Sequence, residues 1–254
     1  MALLELRGLT IRFGGHLAVA EVDLDAPAGA ITGLIGPNGA GKTTTFNLIS
    51  GVLTPSGGRI EYDGADIGRL NTHRRARLGI ARTFQRLEIF GSMTARENVQ
   101  VGVEIRRSWA RKAEVGPQLL AQDGEPSPEE EVELLLDRLA LTAVADVRAG
   151  QLPTGQARLV ELARALAIRP RLMLLDEPAS GLDEQETESF GRLLLELRAS
   201  GLAILLVEHD MPLVMKVCDR LSVLDFGTLL AEGTPDEVRE DPKVVEAYLG
   251  SGIV

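Results

Sequence analysis

The sequence has one cysteine, no excess of basic residues and no long hydrophobic run. Cys218 has no second cysteine to pair with, so no internal disulfide forms and nothing demands an oxidising compartment. The net charge is −10, which disfavours non-specific nucleic-acid binding, because that binding needs clustered lysine and arginine. The longest apolar runs, such as LAILLV at 202–207, are too short to cross a bilayer, and the opening MALLELRGLT does not resemble a signal peptide. We therefore expect a soluble cytoplasmic protein whose partners include no nucleic acid.

What the sequence does contain is an alternation of strands and helices. The 254 residues, 44% of them hydrophobic, suffice for one large domain or two small ones. Apolar runs of strand length occur at 31–35, 171–176 and 202–208, and a helical pattern at 184–200 separates the last two. Continuous apolar strands separated by helices are typical of a parallel sheet covered on both faces.

Other segments interrupt this pattern. The stretches GGRIEYDG (57–64) and LSVLDFGTLLA (221–231) are predicted to be antiparallel hairpins. Residues 89–149 have a helical character and include the acidic stretch QDGEPSPEEE (122–131), which we interpret as part of a solvated, mobile loop. No internal repeat is visible, so we expect one copy of any site.

A phosphate-binding loop follows the first apolar strand. The stretch GPNGAGKTT (36–44) matches G-x-x-x-x-G-K-[ST] in the strand-to-helix context that this motif requires. Its glycines let successive N–H groups face inward as an anion-binding nest, and the helix N-terminus adds partial positive charge. Lys42 is expected to reach the outer phosphates, and Thr43 to bind Mg²⁺. The predicted nucleotide-binding residues of this loop are Gly36, Pro37, Asn38, Gly39, Ala40, Gly41, Lys42, Thr43 and Thr44.

A second motif, LMLLDEP (172–178), places two acidic residues at the end of an apolar strand. Asp176 is expected to hold Mg²⁺ directly or through water. Glu177 is placed to orient and deprotonate an attacking water, and general-base assistance of this kind contributes about 10²–10⁴-fold. Together the two motifs predict an ATPase that uses ATP and Mg²⁺.

Further motifs follow in a fixed order and identify a family that this chain resembles. Seven elements, in this order, make it similar over essentially its whole length to the nucleotide-binding subunit of ATP-binding-cassette (ABC) transporters. They are Phe13 in RFGG, the phosphate loop, Gln85 in TFQ, the signature LPTGQ (152–156), the Asp-Glu strand end, the D-loop SGLD (180–183) and His209 in LLVEHD.

The resemblance implies an α/β fold of known organisation. We expect a P-loop NTPase (RecA-like) core with a parallel sheet, an antiparallel β edge subdomain and an α-helical subdomain. The whole of 1–254 would form a single ATP-binding domain, with its core at about 1–88 and 169–254 and its helical subdomain at about 89–168.

The resemblance also implies roles for single residues. Phe13 would stack on adenine, and Gln85 would contact Mg²⁺ and the attacking water and sense the membrane partner. His209 would contact the γ-phosphate and hold the geometry of Glu177, and Asp183 would organise the dimer interface. The implied catalytic residues are thus Glu177, His209 and Gln85; the metal-binding residues Thr43, Gln85 and Asp176; and the D-loop residues Ser180, Gly181, Leu182 and Asp183.

The signature departs from the family pattern. In the family it is usually LSGGQ and caps the γ-phosphate of ATP held by the other subunit; here it is Leu152, Pro153, Thr154, Gly155 and Gln156. Pro153 offers neither a hydroxyl nor an N–H group. Two hypotheses follow: either a different ATPase with an intact signature completes this chain's site, or the Thr154 hydroxyl restores the contact.

Finer features favour one branch of the family. RFGG, the segment RTFQRLEIFGSMTARENV (82–99) and the tail TPDEVREDPKVVEAYLG (234–250) resemble an ATPase of branched-chain amino acid importers. The alternative within the family is the ATPase of lipopolysaccharide export, which shares a similar loop, GPNGAGKTTTF. In the tail, Thr234, Pro235 and Glu237 predict a helix start with a capping box.

The implied partners are permease subunits, a second ATPase subunit and, indirectly, a solute-binding protein. The protein would then lie in the cytoplasm, peripheral on the inner face of the membrane. Two other classes are less favoured. A soluble cassette ATPase usually carries two cassettes or a coiled-coil insertion, which this chain lacks. An ATP-sensing module without turnover is opposed by Glu177 and His209, although Pro153 keeps it open.

Overall fold

The computed structural model describes residues 2–109 and 126–249. The chain divides into two compact units, which are described separately. The first contains the residues up to Arg75 and those from Ala203 onward, and the second is Ala76–Leu202.

Strands and helices alternate along the described residues. In chain order the elements are β1 (Ala2–Phe13), β2 (His16–Pro27), β3 (Ile31–Ile35), α1 (Lys42–Ser50), β4 (Gly57–Tyr62), β5 (Ala65–Asp66), α2 (Thr72–Arg77), β6 (Ile80–Arg82), α3 (Ala95–Ser108), α4 (Pro128–Arg138), α5 (Thr154–Leu166), β7 (Leu172–Asp176), α6 (Glu184–Ala199), β8 (Ala203–Val207), α7 (Met211–Val217), β9 (Arg220–Asp225), β10 (Thr228–Gly233), α8 (Pro235–Glu240) and α9 (Pro242–Leu249). The predicted strands at 31–35, 171–176 and 202–208 and the predicted helix at 184–200 are confirmed to within one or two residues at each end.

The first unit contains parallel and antiparallel strands. An antiparallel sheet has the strand order β2-β1-β4-β5. Separately, β3 pairs in parallel with both β8 and β9, and β10 is antiparallel to β9. Every residue of β3 and β8 is buried, as their continuous apolar sequences predict for strands covered on both faces.

Both predicted hairpins of this unit are confirmed. Strands β4 and β5 are joined at Asp63–Gly64, and β9 and β10 at Phe226–Gly227. All four of these turn residues have positive φ angles, between 43° and 82°. Two-residue turns with φ positive at both positions match the right-handed twist of the flanking strands, so the turn chemistry explains the hairpins.

The second unit combines a strand pair with packed helices. Strands β6 and β7 run parallel, with Arg82 opposite Leu174. Helix α3 packs against α4 and α5. The crossing of α3 and α5 is close at Gly102, where a Cβ atom would lie 2.6 Å from the Arg164 carbonyl oxygen. The helical character predicted for residues 89–149 is therefore confirmed for the described part of that range, which contains α3 and α4.

The acidic stretch at 122–131 corrects the prediction of a solvated loop. Its residues 122–125 lie outside the described part of the chain. The rest begins α4, because Ser127 and Glu130 form a capping box. Glu131 is fully buried; it pairs with Arg106 and accepts a hydrogen bond of 2.8 Å from Nε of Arg169. The charges of this run are therefore partly structural, because the buried carboxylate compensates two arginines.

The C-terminal helices begin as the tail predicts. Pro235 occupies the first turn of α8, the Glu237 N–H group donates to the Thr234 hydroxyl at 3.4 Å, and the Glu237 carboxylate accepts from the Thr234 N–H group at 2.8 Å. The predicted capping box is therefore confirmed. Across the described ranges, no helix combines the length and apolar character needed to span a membrane.

Candidate functional site

The phosphate loop at 36–44 joins strand β3 to helix α1 in the first unit. Gly36, Gly39 and Gly41 have positive φ angles of 144°, 82° and 102°. A Cβ atom on Gly36 would overlap the carbonyl oxygen of Leu224, so this position requires glycine. A loop of this kind turns N–H groups to one side, and the helix N-terminus adds more. The backbone therefore fits a phosphate group.

Two side chains of α1 carry the predicted phosphate and metal roles. Lys42 is only 6% exposed. Its ammonium group donates to the carbonyl oxygens of Gly36 at 2.6 Å and Pro37 at 2.9 Å. These two bonds keep the positive charge of Lys42 next to the backbone of the phosphate loop. Thr43, the next residue, is exposed, so its hydroxyl is accessible to a ligand. Both positions fit ATP with Mg²⁺, and their roles stay predictions.

The backbone of the phosphate loop contacts strand β2 and the turn between β9 and β10. Gly227, in the turn between β9 and β10, donates its N–H group to the Ala40 carbonyl at 3.1 Å and accepts from the Ala20 N–H group at 2.8 Å. A Cβ atom on Gly41 would lie 2.7 Å from the carbonyl oxygen of Ala18 in β2. The loop shape is therefore fixed by close backbone contacts with β2 and with this turn.

Phe13 and His209 are exposed residues of the first unit, the one at the end of a strand and the other shortly after one. Phe13 ends β1, opposite His16, and is 49% exposed. Such a ring is available to stack on a flat ligand. His209 follows β8, and its backbone N–H group donates to the carboxylate of the buried Glu208 at 2.9 Å. The predicted contacts of these two residues with adenine and γ-phosphate stay predictions.

Tyr248, on α9, is a contact of the phosphate loop that the sequence did not reveal. Its hydroxyl hydrogen-bonds the backbone of Gly36; burial raises the pKa of Tyr248 to about 12, and this bond acts in the opposite direction. The ring lines an apolar cavity of about 300 Å³ together with Ile35, Met211 and Val244. The sequence predicted only that a helix begins in this tail, and a helix start does not reveal what the following helix packs against.

In the second unit, the structure brings Gln85 and Glu177 together. Nε2 of Gln85 donates to Oε2 of Glu177 at 2.9 Å. Glu177 directly follows β7 and has a φ angle of 49°, a left-handed conformation that is uncommon for a residue with a side chain. Strained backbone of this type costs about 1–3 kcal/mol and persists where surrounding structure holds it, often at functional sites. The arrangement suits a carboxylate that orients water with the help of an amide.

Asp176, immediately before Glu177, is paired with an arginine that sequence analysis missed. Nη2 of Arg82 donates to Oδ2 of Asp176 at 3.0 Å, and the two side chains are 7% and 2% exposed. Burial lowers the pKa of Arg82, and the charge of Asp176 opposes that shift. The only sequence signal was a basic residue at the end of a short apolar strand.

The signature motif begins α5 without a side-chain cap. Pro153 occupies the N-cap position, and its carbonyl accepts from the Ala157 N–H group at 2.9 Å. The N–H groups of Thr154, Gly155 and Gln156 precede the first intrahelical bond and are therefore oriented out of the helix end. This end is suited to an anion, as the sequence predicts.

The D-loop packs against the signature within the same unit. Asp183 caps α6: its carboxylate accepts from the Glu186 N–H group at 2.8 Å, and the Glu186 carboxylate accepts from the Asp183 N–H group at 3.0 Å. A Cβ atom on Gly155 would lie 2.8 Å from Cδ of Glu186, and one on Gly181 would lie 3.3 Å from Cγ2 of Thr154. The signature glycine thus leaves room for the capping box, and the Thr154 methyl group borders the D-loop.

A groove of about 440 Å³ lies beside the segment that follows Gln85. It has apolar and charged walls, and Phe84 and Phe90 are 43% and 46% exposed. Helix α5 holds this segment: Arg158 donates to the carbonyl oxygens of Phe84 at 3.1 Å and Gln85 at 2.7 Å. The groove is lined by Arg82, Glu88, Ile89, Phe90, Val101, Gly102, Ile105, Glu161, Arg164, Ala165 and Ile168.

Comparison with protein families gives two matches. The model described as "ABC transporter" matches residues 19–180. The model described as "Branched-chain amino acid ATP-binding cassette transporter" matches residues 228–254.

Similar curated proteins cover nearly the whole chain. The "High-affinity branched-chain amino acid transport ATP-binding protein BraF" of Pseudomonas aeruginosa is 42% identical over 249 residues, 98% of each chain. The corresponding protein LivG of Escherichia coli K12 is 39% identical over the same length and coverage. The "Lipopolysaccharide export system ATP-binding protein LptB" of Acidithiobacillus ferridurans is 36% identical over 248 residues, 98% of this chain and 97% of that protein.

Solved structures of the same kind are similar in fold. A nucleotide-free ATP-binding cassette from an ABC transporter matches with a TM-score of 0.83 and 33% identity, covering 98% of this chain and 99% of that one. The ADP conformation of MJ1267, an ATP-binding cassette of an ABC transporter, matches with a TM-score of 0.82, 34% identity and the same coverage. The α/β P-loop NTPase fold class predicted from the sequence is confirmed.

Proposed function

Because the chain belongs to the ABC transporter family, we propose that it is the ATP-binding and ATP-hydrolysing subunit that powers the import of branched-chain amino acids through a membrane permease. The observation that carries the catalytic part is the hydrogen bond between Gln85 and Glu177, in which an amide holds the carboxylate that follows β7. A general base has to be oriented toward the water that it deprotonates, and the bond from Gln85 restricts the orientation of the Glu177 carboxylate.

ATP and Mg²⁺ are the groups that the phosphate loop and the Asp-Glu strand end fit. Lys42, Thr43 and the loop N–H groups would hold the phosphates, and Thr43, Gln85 and Asp176 would hold Mg²⁺. When bound, Mg²⁺ neutralises charge that develops on the transferred phosphoryl group. Glu177 would take the proton of the attacking water, His209 would contact the γ-phosphate, and Phe13 would stack on adenine.

The C-terminal residues support the assignment of the solute. The segment 228–254, which matches the branched-chain amino acid family model, includes α8 and α9. The relatives BraF and LivG, named for high-affinity branched-chain amino acid transport, are 39–42% identical to the chain over 249 residues.

Lipopolysaccharide export is the second candidate. The observation that favours it is the 36% identity to LptB over nearly the full chain. The match of the C-terminal residues to the branched-chain amino acid model favours import instead.

The groove beside Gln85 supports a permease as partner. Exposed aromatic side chains flanked by charged ones, next to the segment that carries Gln85, suit a helical segment with an apolar face. We assign this groove to a cytoplasmic helix of the permease. The chain would then lie on the inner face of the membrane through that partner, and a solute-binding protein would contact the permease rather than this chain.

A second ATPase subunit would complete the nucleotide site. The signature would cap ATP held by the other subunit, and the D-loop would organise the interface. In a pair with a different ATPase, this chain's own loop would be completed by the partner's signature. Glu177→Gln should then reduce transport more than substitution of Gly155. Equal effects would contradict the idea that this chain's own nucleotide site and the site completed by its signature differ in activity.

The proposed function is tested by assaying the full chain alone and in vesicles that contain its permease subunits, the second ATPase subunit and the solute-binding protein. We expect Mg²⁺-dependent ATP hydrolysis, its loss in Glu177→Gln with ATP binding retained, and ATP-driven uptake of leucine into vesicles that contain the complex. ATP binding without hydrolysis in the wild type would favour an ATP-sensing module, and ATP hydrolysis without leucine uptake would reject the assigned solute.

A further inference from the structure

The side chain of Arg82 contacts two functional regions of the second unit. Its guanidinium donates to Oδ2 of Asp176 at 3.0 Å. The same guanidinium lies over the Phe84 ring, 4.8 Å from the ring centroid, and lines the groove beside Gln85. One charged group therefore connects the wall of the groove with the carboxylate expected to bind Mg²⁺.

The register of the strands explains why the two charges meet. Arg82 ends β6 opposite Leu174 of the parallel strand β7, two residues before Asp176. The Thr83 N–H group continues the ladder by donating to the Leu174 carbonyl at 3.0 Å. Both charged side chains therefore leave the sheet at the same edge, and an ion pair compensates the desolvation of each charge.

The pair makes Arg82 a competitor of a divalent cation. A guanidinium within hydrogen-bond distance of a carboxylate stabilises the negative charge but opposes a second cation at the same group. The interaction is strong because both side chains are almost fully buried, at 7% and 2% exposure. Mg²⁺ bound by Asp176 would therefore be held more weakly while Arg82 is paired with that carboxylate.

Phe84 supplies the connection to the surface. The ring is 43% exposed, yet its face orders the guanidinium of Arg82 through a cation–π contact. Phe84 lies beside the groove rather than in its lining, and a helix that enters the groove and displaces this exposed ring would loosen Arg82. In contrast, Phe90 does line the groove; it is 46% exposed and contacts Arg164, whose guanidinium lies 4.9 Å from the ring centroid, rather than Arg82.

We infer that Arg82 is a positioning residue that couples occupation of the groove to Mg²⁺ binding at Asp176. With the groove free, Arg82 pairs with Asp176 and raises the Mg²⁺ concentration that nucleotide binding requires. A segment that displaces Phe84 releases Asp176 and lowers that concentration. The inference rests on the proposed function, since it assumes that Asp176 binds Mg²⁺ together with ATP.

The test is a Mg²⁺ titration of the full chain with a saturating non-hydrolysable ATP analogue, read as thermal stabilisation. Arg82→Gln removes the charge and keeps a hydrogen-bonding amide, and we expect its Mg²⁺ midpoint to fall about three- to tenfold. Arg82→Lys keeps the charge and should stay within about twofold of the wild type. Binding of the analogue without Mg²⁺ should be unchanged in both variants, which a merely structural defect would not allow.

Phe84→Leu and Phe90→Leu are a matched pair of variants that leave the ion pair between Arg82 and Asp176 in place. Phe84→Leu should lower the midpoint in the same direction as Arg82→Gln but by less, whereas Phe90→Leu should leave it unchanged. This pair decides the question if Arg82→Gln does not fold.

Two results would overturn the inference. One is a midpoint in a folded Arg82→Gln variant that is equal to or above that of the wild type, and the other is an equal shift in Phe84→Leu and Phe90→Leu. If the wild type itself shows no Mg²⁺-dependent stabilisation by the analogue, the proposed function fails, and that result is distinct from a missing shift in the variants.

Discussion

The substitution Gly155→Ala would test whether the signature and the D-loop form one packed unit. The new Cβ atom would lie 2.8 Å from Cδ of Glu186, closer than atoms tolerate, so the Glu186 side chain has to move. That carboxylate accepts the Asp183 N–H group at 3.0 Å, and moving it breaks one half of the capping box. The substitution therefore disturbs the D-loop through a contact made within this chain.

The expected effect on stability is small. Loss of a helix cap costs about 0.5–2 kcal/mol, and alanine in place of glycine within a helix returns up to about 1 kcal/mol. The net change therefore lies between a gain of about 0.5 kcal/mol and a loss of about 2 kcal/mol, and the loss corresponds to a fall in Tm of no more than about 8 °C for a chain of this size. The effect on catalysis should be larger, since misplacement of a group that organises a site lowers the rate about ten- to a hundredfold.

The assay is a double-mutant cycle of ATP hydrolysis, with Tm measured alongside. Glu186→Ala breaks the capping box in advance and leaves space beside residue 155. We therefore expect Gly155→Ala to change the rate by less than about twofold in the Glu186→Ala background. If Gly155→Ala lowers the rate as much in that background as in the wild type, glycine is required for another reason, such as close approach of a phosphate, and the packing argument is refuted.

Three further predictions concern other regions of the chain. Thr154→Ala should lower ATP hydrolysis about tenfold or more if its hydroxyl replaces the missing signature contact, because a hydrogen bond to a charged group contributes about 1.5–3 kcal/mol; an unchanged rate would remove that hypothesis. Glu131→Gln should lower the free energy of unfolding by about 3–5 kcal/mol, because it leaves two buried arginines uncompensated, and this loss is measured as a lower urea midpoint. The control Glu129→Gln, at an exposed position of the same helix, should have little effect. Tyr248→Phe keeps the ring but removes the bond to Gly36, and should weaken ATP binding about two- to tenfold with Tm nearly unchanged; equal affinities in a titration would show that the bond does not support the loop.

Several features were predictable because neighbouring residues decide them. The glycine pattern of 36–44 fixes a loop between a strand and a helix, since positive φ angles and a helix N-terminus are local properties. The capping box of Thr234 and Glu237 spans three residues, and the turn at Phe226–Gly227 spans two. Continuous apolar runs predicted β3 and β8, because a strand covered on both faces has no solvent side.

The acidic stretch at 122–131 shows where local reasoning failed. A run of like charges is usually solvated, and the sequence alone does not reveal that Arg106 and Arg169 approach Glu131. Burial of this carboxylate depends on the packing of α3 and α4 and on the chain after α5. The charge pattern is the same in both interpretations, so only the positions of these elements distinguish them.

By itself, the sequence determined the α/β fold class, the phosphate loop, the acidic strand end and the resemblance to ABC transporter ATPases. The tertiary structure alone decided that Arg82 pairs with Asp176, 94 positions away in the sequence, that Gly155 makes room for Glu186, and that Tyr248 bonds Gly36. The physical reason is that a motif depends on the conformation of adjacent residues, whereas a contact between distant side chains depends on which strands and helices are neighbours and in what register they lie.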